Sequence, residues 1–156
     1  MRIIGALLIL CSAFFIANKA VAEVERTLCA TSALRVLMEQ IKNMIECYSM
    51  PIGKILEKID PLTFKKCGYE GEGAPADLLD LSKGAVVPDG ESFEIFSSFA
   101  KDFGKGYRED ELLRCAMFLE RMRSREQKLS KEIAKKKRVI TTVSLCTALA
   151  VVILLI

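Results

Sequence analysis

The sequence predicts an all-α protein: a small helical bundle between an N-terminal and a C-terminal transmembrane helix, with the last helix of the bundle continuous with the C-terminal span. Three observations lead there. Both ends of the chain are apolar, apolar residues between them recur at spacings of three and four, and no Gly or Pro interrupts the sequence from Arg108 to Ile156. The organisation expected is an anchor over residues 1–22, a cytoplasmic helical domain over 23–138 that is loop-rich from 61 to 90, and a second span over 139–156. With the apolar ends set aside, about 120 residues remain, enough for one core.

The first apolar run, "IIGALLILCSAFFIA", covers Ile3 to Ala17 and extends to Ala22 if Lys19 snorkels to the interface. The small residues at Ala20 to Ala22 leave a second reading open, that of an exported, tail-anchored binding protein whose signal peptide is cut after Ala22. Charge favours the uncleaved anchor. Export would leave Lys135 to Arg138 on the far side of the membrane, against the positive-inside rule, whereas two spans keep Lys19, Arg26, Arg35 and that run in the cytoplasm.

A long amphipathic helix follows, with Ala30, Leu34, Leu37, Ile41, Met44 and Tyr48 on one face, ending near "YSMPIGK". Pro51 suits the first turn of the next helix, with Ser49 or Met50 as its cap and a stripe of Ile52, Ile55, Leu56 and Ile59. Residues 67–90 read as loop with one short helix over Ala76 to Lys83. Asp89 then caps a helix whose aromatic face is Ile95, Phe96, Phe99 and Phe103, and Gly104 and Gly106 break the chain. The last and longest helix carries Leu112, Cys115, Leu119, Met122, Leu129 and Ile133 at a mean spacing near 3.5, with Glu126 interrupting the series. Eighteen uncharged residues from Val139 to Ile156 close the sequence, about 27 Å of helix against a hydrocarbon core of about 30 Å.

The net charge of +3 hides an asymmetry. Lys19 to Glu120 holds thirteen basic and eighteen acidic residues, but residues 121–138 hold nine basic and two acidic. The nine are Arg121, Arg123, Arg125, Lys128 and Lys131, continued by Lys135, Lys136, Lys137 and Arg138. Beside an apolar span such a series reads as a topology signal and as attraction to anionic lipid headgroups, about 1 kcal/mol per cation. Nucleic acid is not expected as a partner, because no reader module or aromatic platform accompanies the charge.

Enzyme classes are cut back sharply. The chain has no histidine, which removes Ser-His-Asp and Cys-His arrangements and His-containing metal sites. Its six cysteines form no C-x-x-C pair, and those of the middle read as small apolar fillers of helix faces. Cys67 in "KKCGYEG", beside Lys65 and Lys66, is the one nucleophile that can be pointed to, and it has no general base. No catalytic, cofactor-binding or metal residue and no small-molecule substrate is therefore expected.

The order of these elements, with "IECYSMPIGKIL", "FAKDFGKGYREDE" and a basic helix feeding an apolar tail, resembles the stage III sporulation protein AB family. In that family the first helix ends in a pattern like E-I-x-Y-x-x-x-P-L. Ile45, Pro51 and Ile52 fit it, while Met44 stands in the Glu place and Tyr48 falls one position late. A later L-G-x-x-D-x-x-x-Q pattern is met by Phe103, Gly104, Tyr107 and Glu111, of which the glycine is identical. The resemblance implies a helical domain like the cytoplasmic domain of type II secretion F-type platform proteins. It also implies a non-enzymatic scaffold in the mother cell–forespore complex of sporulating cells. On that reading the protein lies in the mother-cell-derived outer forespore membrane, its helical domain is cytoplasmic, and it links a cytosolic motor ATPase to other membrane components.

Overall fold

The computed structural model describes residues 2–48, 52–71 and 74–155, and side-chain surroundings for these except 2–10, 13, 48, 52–53, 152 and 154–155. Its elements are six helices: α1 (Arg2–Tyr48), α2 (Ile52–Lys58), α3 (Pro61–Lys66), α4 (Leu78–Gly84), α5 (Gly90–Asp102) and α6 (Arg108–Leu155). Among the described residues there is no strand, and one isolated bridge joins Tyr69 to Ala85. The chain divides into two compact units, Thr27–Lys128 and, separately, Met1–Arg26 with Leu129–Ile156.

The core of the 27–128 unit follows the helical spacing. From α1 come Leu34, Leu37, Met38, Ile41 and Ile45, and from α6 Cys115, Phe118, Leu119 and Met122, all buried. Each large side chain removed from water in this way contributes about 1.5–3 kcal/mol. Met44 packs against this core part-buried; Tyr48, Ser49, Met50, Pro51 and Ile52, on which the expected helix junction turns, lie outside the described side chains. Ile55, Leu56 and Ile59 are buried as the stripe predicts.

The segment expected to be irregular holds more helix than its composition suggested. Asp60 caps α3 by accepting the Leu62 N–H at 2.9 Å, with Pro61 placed in the first turn where its missing N–H costs nothing, and Phe64 is buried. The helix stops in a Schellman motif: the Tyr69 N–H reaches the Phe64 carbonyl and the Gly68 N–H the Lys65 carbonyl, both at 3.0 Å. Gly68 takes a φ of +86°, and a Cβ there would lie 2.6 Å from the Val86 carbonyl oxygen, so both conformation and space require glycine. Asp77 caps α4, whose Leu78 and Leu81 are buried.

Not every cysteine is a filler. Cys67 and Cys115 are buried, but Cys29 and Cys47 are exposed, since both fall off the apolar face of α1.

The unit of residues 1–26 and 129–156 pairs a segment of α1 with a segment of α6. Lys137 is ion-paired to Glu25, and the Lys19 ammonium stands 5.6 Å from the centre of the Phe15 ring. Thr141 and Thr147 donate to the carbonyls one turn back, Lys137 and Val143, at 2.9 and 2.8 Å, so their hydroxyls stay satisfied on an apolar helix. Phe14, Phe15, Ile16, Val139, Val143, Leu145, Leu149 and Ile153 are each at least half exposed. An apolar surface of this extent calls for a partner or a lipid phase.

Among the described residues no helix is long and apolar enough to cross a membrane. The two spans expected over 1–22 and 139–156 rest in part on side chains outside that set, namely 1–10, 13, 152 and 154–156. The helix of the second run is described from 139 to 155, about 26 Å against a hydrocarbon core of about 30 Å.

Candidate functional site

No catalytic constellation is present among the described residues, nor a group of side chains that could hold a metal ion. Cys67 is fully buried and its thiol is pushed up to about 12 by burial, so the thiolate that a nucleophile needs does not form near neutrality. Cys115 is pushed up to about 11, first by burial and then by the neighbouring Glu111 carboxylate. The surfaces of the 27–128 unit are held by ties between its helices.

One such tie gathers the family-pattern positions at the junction of α1, α5 and α6. Asp102 ends α5, the Phe103 N–H closes on the Phe99 carbonyl at 2.9 Å, and Gly104 turns the chain with a φ of +84°. Phe103 packs on Phe99, ring centres 5.4 Å apart, and lines a cleft of about 160 Å³ with Leu56, Leu79 and Ala100. Glu111 lies one turn into α6 and is 1% exposed. Its Oε1 accepts the Gly106 N–H at 2.9 Å and an Arg114 N–H at 3.4 Å, and Arg114 also donates to the Asp102 carbonyl. Charge-assisted bonds of this kind fix the turn at both its ends. Arg108 completes the junction by donating to the Ile45 and Glu46 carbonyls at 3.2 and 2.8 Å, satisfying the open end of α1.

Ile45, Phe103, Gly104 and Glu111 thus meet at one end of the bundle. Tyr107 does not join them; it is 87% exposed and free to face a partner. Arg108 and Arg114, which do the tying, were not picked out by the sequence reading, although they lie in the first two turns of the helix that opens in "GYREDE", where a long cation reaches back to helix carbonyls.

The basic series separates into two sets. Arg125 is bidentate on Asp89, Nε at 2.9 Å and a terminal nitrogen at 2.7 Å, and reaches Glu91 at 2.8 Å. Arg123 pairs with Glu39 at 2.9 Å, in a network where Arg35 bonds Glu39 at 3.0 Å and Glu126 at 2.6 Å. With Lys137 on Glu25, three of the nine cations are ion-paired, Arg125 largely covered and Arg123 about half exposed. Glu126, the apparent interruption of the apolar series, is placed there to meet Arg35. Arg121, Lys128, Lys131, Lys135, Lys136 and Arg138 are exposed, Arg121 lying 5.8 Å from the Phe118 ring in a shallow groove of about 480 Å³ with Lys101 and Ser97.

The Asp89 site is itself a buried polar network. Asp89 Oδ2 accepts the Ser92 N–H at 2.9 Å as the cap of α5 and the Ser92 hydroxyl at 2.5 Å, and that hydroxyl stands 3.0 Å from Thr31 Oγ1 on α1. The Arg125 guanidinium, seconded by the Ser92 bonds and against the effect of burial, holds the Asp89 carboxyl well below the usual carboxylate range.

The α5–α6 turn and the basic helix both fall inside the part of the chain that compares with known proteins: the family model of stage III sporulation protein AB matches residues 82–156. Over this stretch, a little under half of its length, the chain is similar to the stage III sporulation protein AB family. The match covers the end of α4 and all of α5 and α6, so Phe103, Gly104, Tyr107 and Glu111 are within it, while Ile45, Tyr48, Pro51 and Ile52 precede it. No curated protein and no solved structure matches the chain. The match supports a sporulation-related protein, and the matched family is one of structural components.

Proposed function

We propose that this chain is a membrane-anchored scaffold of the channel joining mother cell and forespore, a secretion-like complex, in which it serves as the platform linking a cytosolic motor ATPase to membrane components. The observation that carries the reading is the family match over α5 and α6. The exposed Tyr107 beside a rigidly tied turn suits a role in binding. The location proposed is the mother-cell-derived outer forespore membrane, with spans at 1–22 and 139–156, anionic headgroups at the exposed lysines, and the 27–128 unit in the cytoplasm. Uncleaved anchoring suits the fold better than a cut after Ala22. Such a cut would separate Glu25 from the α1 turns before it and remove every α1 residue opposite Val139 to Ala148.

Two measurements test this. Affinity recovery of the full chain from cells arrested after engulfment is expected to bring down other sporulation-complex proteins, including an ATPase; recovery of the chain alone overturns the scaffold reading. For the topology, a reporter joined after Ile156 is expected to report as extracytoplasmic and one inserted at residues 70–74 as cytoplasmic. The opposite pattern overturns the two-span hairpin.

A further inference from the structure

Two apolar grooves run along the 1–26 and 129–156 unit, and they differ at their basic ends. The first, about 430 Å³, has Ile16, Ala17 and Ala20 on one wall and Val139, Ile140 and Val143 on the other. The second, about 400 Å³, has Phe14, Asn18 and Val21 facing Thr141, Leu145 and Ala148. Ala17 and Ser144 line both, because small side chains leave hollows on either side of the helix contact.

Helical register decides which cations stand above which groove. Residues four apart lie on one row, so Lys135 precedes Val139 and Lys136 precedes Ile140, at the basic end of the first groove. Side chains on a helix lean toward its N-terminus, which carries both ammonium groups away from the apolar wall toward water. Both lysines are exposed and neither forms an ion pair among the described residues. Above the second groove stands Lys137, on the row of Thr141, and Glu25 already holds it, leaving Arg138 alone. The acids of this end are that Glu25, Glu23 and Glu132, of which Glu23 and Glu132 have interactions of their own, while neither Lys135 nor Lys136 has one among the described residues.

An apolar trough capped by two unpaired cations matches an amphiphile with an anionic head. A free anion has no use for the trough, and a zwitterionic lipid gains little from the second cation. We propose that the first groove is a binding site for a phospholipid with an anionic headgroup: one acyl chain lies along Ala17, Ala20 and Val143, and Lys135 and Lys136 hold the phosphate. The assignment rests on the membrane reading above and adds to it a defined site with lipid selectivity.

The test uses the full chain purified in non-ionic detergent, offered phosphatidylglycerol and phosphatidylcholine of matched acyl chains, with retained lipid read by native mass spectrometry. Phosphatidylglycerol is expected to be retained in preference, by roughly five-fold for each contributing cation. The variant Lys135→Gln/Lys136→Gln, which changes only exposed side chains, is expected to lose that preference, and Arg138→Gln to keep it. Ala20→Phe fills the trough and is expected to lower retention of both lipids with helix content unchanged; if it unfolds, the lysine pair carries the test. Equal retention of the two lipids by the native chain, or a preference that survives the lysine pair, overturns the site. Flotation with vesicles of each lipid separates the levels: a chain that floats with both but retains neither selectively overturns the groove assignment only, whereas a chain that floats with neither overturns the membrane reading as well.

Discussion

Asp89→Ala is expected to destabilise the protein by about 3 kcal/mol, roughly 1 kcal/mol from the lost cap of α5 and about 2 kcal/mol from the broken charge-assisted bonds of Arg125. The loss stops short of a fully orphaned buried charge, because Glu91 still reaches Arg125 at 2.8 Å and is itself half exposed. Asp89→Asn keeps the side-chain oxygen that caps Ser92 and removes the charge, so it should cost less, about 1–2 kcal/mol. Thermal unfolding of the full chain in mild detergent orders the two variants, and a double-mutant cycle with Arg125→Gln should give a coupling of about 1–3 kcal/mol. Acidity supplies a second readout. The Asp89 carboxyl titrates lower in the folded chain than in the unfolded one, so its contribution is complete above the unfolded value, near 4, and is lost as the pH falls toward the folded value. Native protein and Asp89→Asn should therefore differ most near neutrality and draw together below about pH 3. A gap that stays constant down to that pH would show that the ion pair with Arg125 is not what holds the site.

The same residue marks where sequence reading succeeds and where it stops. Asp89 as a cap is legible because the signal is local: an acid just before "GESFEIF" and a helical apolar pattern. Its bond to Arg125 is 36 residues away, and nothing in the spacing of α6 separates an arginine that turns into the bundle from the lysines that face out. Periodicity likewise placed Leu34, Leu37, Ile41, Cys115 and Met122 in the core, but it treated Glu126 as a fault, since a pattern of apolar positions carries no information about an Arg35 on another helix. Short helices escape for a different reason. α3 has six residues, too few for a period, and its proline reads as loop unless Asp60 before it is recognised as the cap. At the candidate site Gly104 was legible from the chain break it causes, while the Glu111, Arg108 and Arg114 ties, which depend on backbone carbonyls brought in from α1 and α5, were not.

Phe99→Ala is expected to be the most damaging single change in the matched segment, at about 3–5 kcal/mol. Phe99 is fully buried, and its ring centre lies 5.4 Å from Phe103, 6.4 Å from Phe96 and 5.7 Å from Phe118, the last edge-on. The contact with Phe118 ties α5 to α6, and edge-to-face pairs of this kind add about 0.5–1.5 kcal/mol beyond the area they bury. Its carbonyl also takes the Phe103 N–H that closes the helix ahead of Gly104, so the cavity opens beneath the turn that carries Tyr107. Phe99→Leu keeps most of the volume and should cost distinctly less than Phe99→Ala. Phe103→Ala, at a half-buried position, should fall between Phe99→Leu and Phe99→Ala. The order of the three melting temperatures discriminates. If Phe99→Leu is as damaging as Phe99→Ala, ring geometry and not filled volume holds α5 on α6, and recovery of partners should then fall equally in both variants, because the turn of residues 102–111 loses its support in either case.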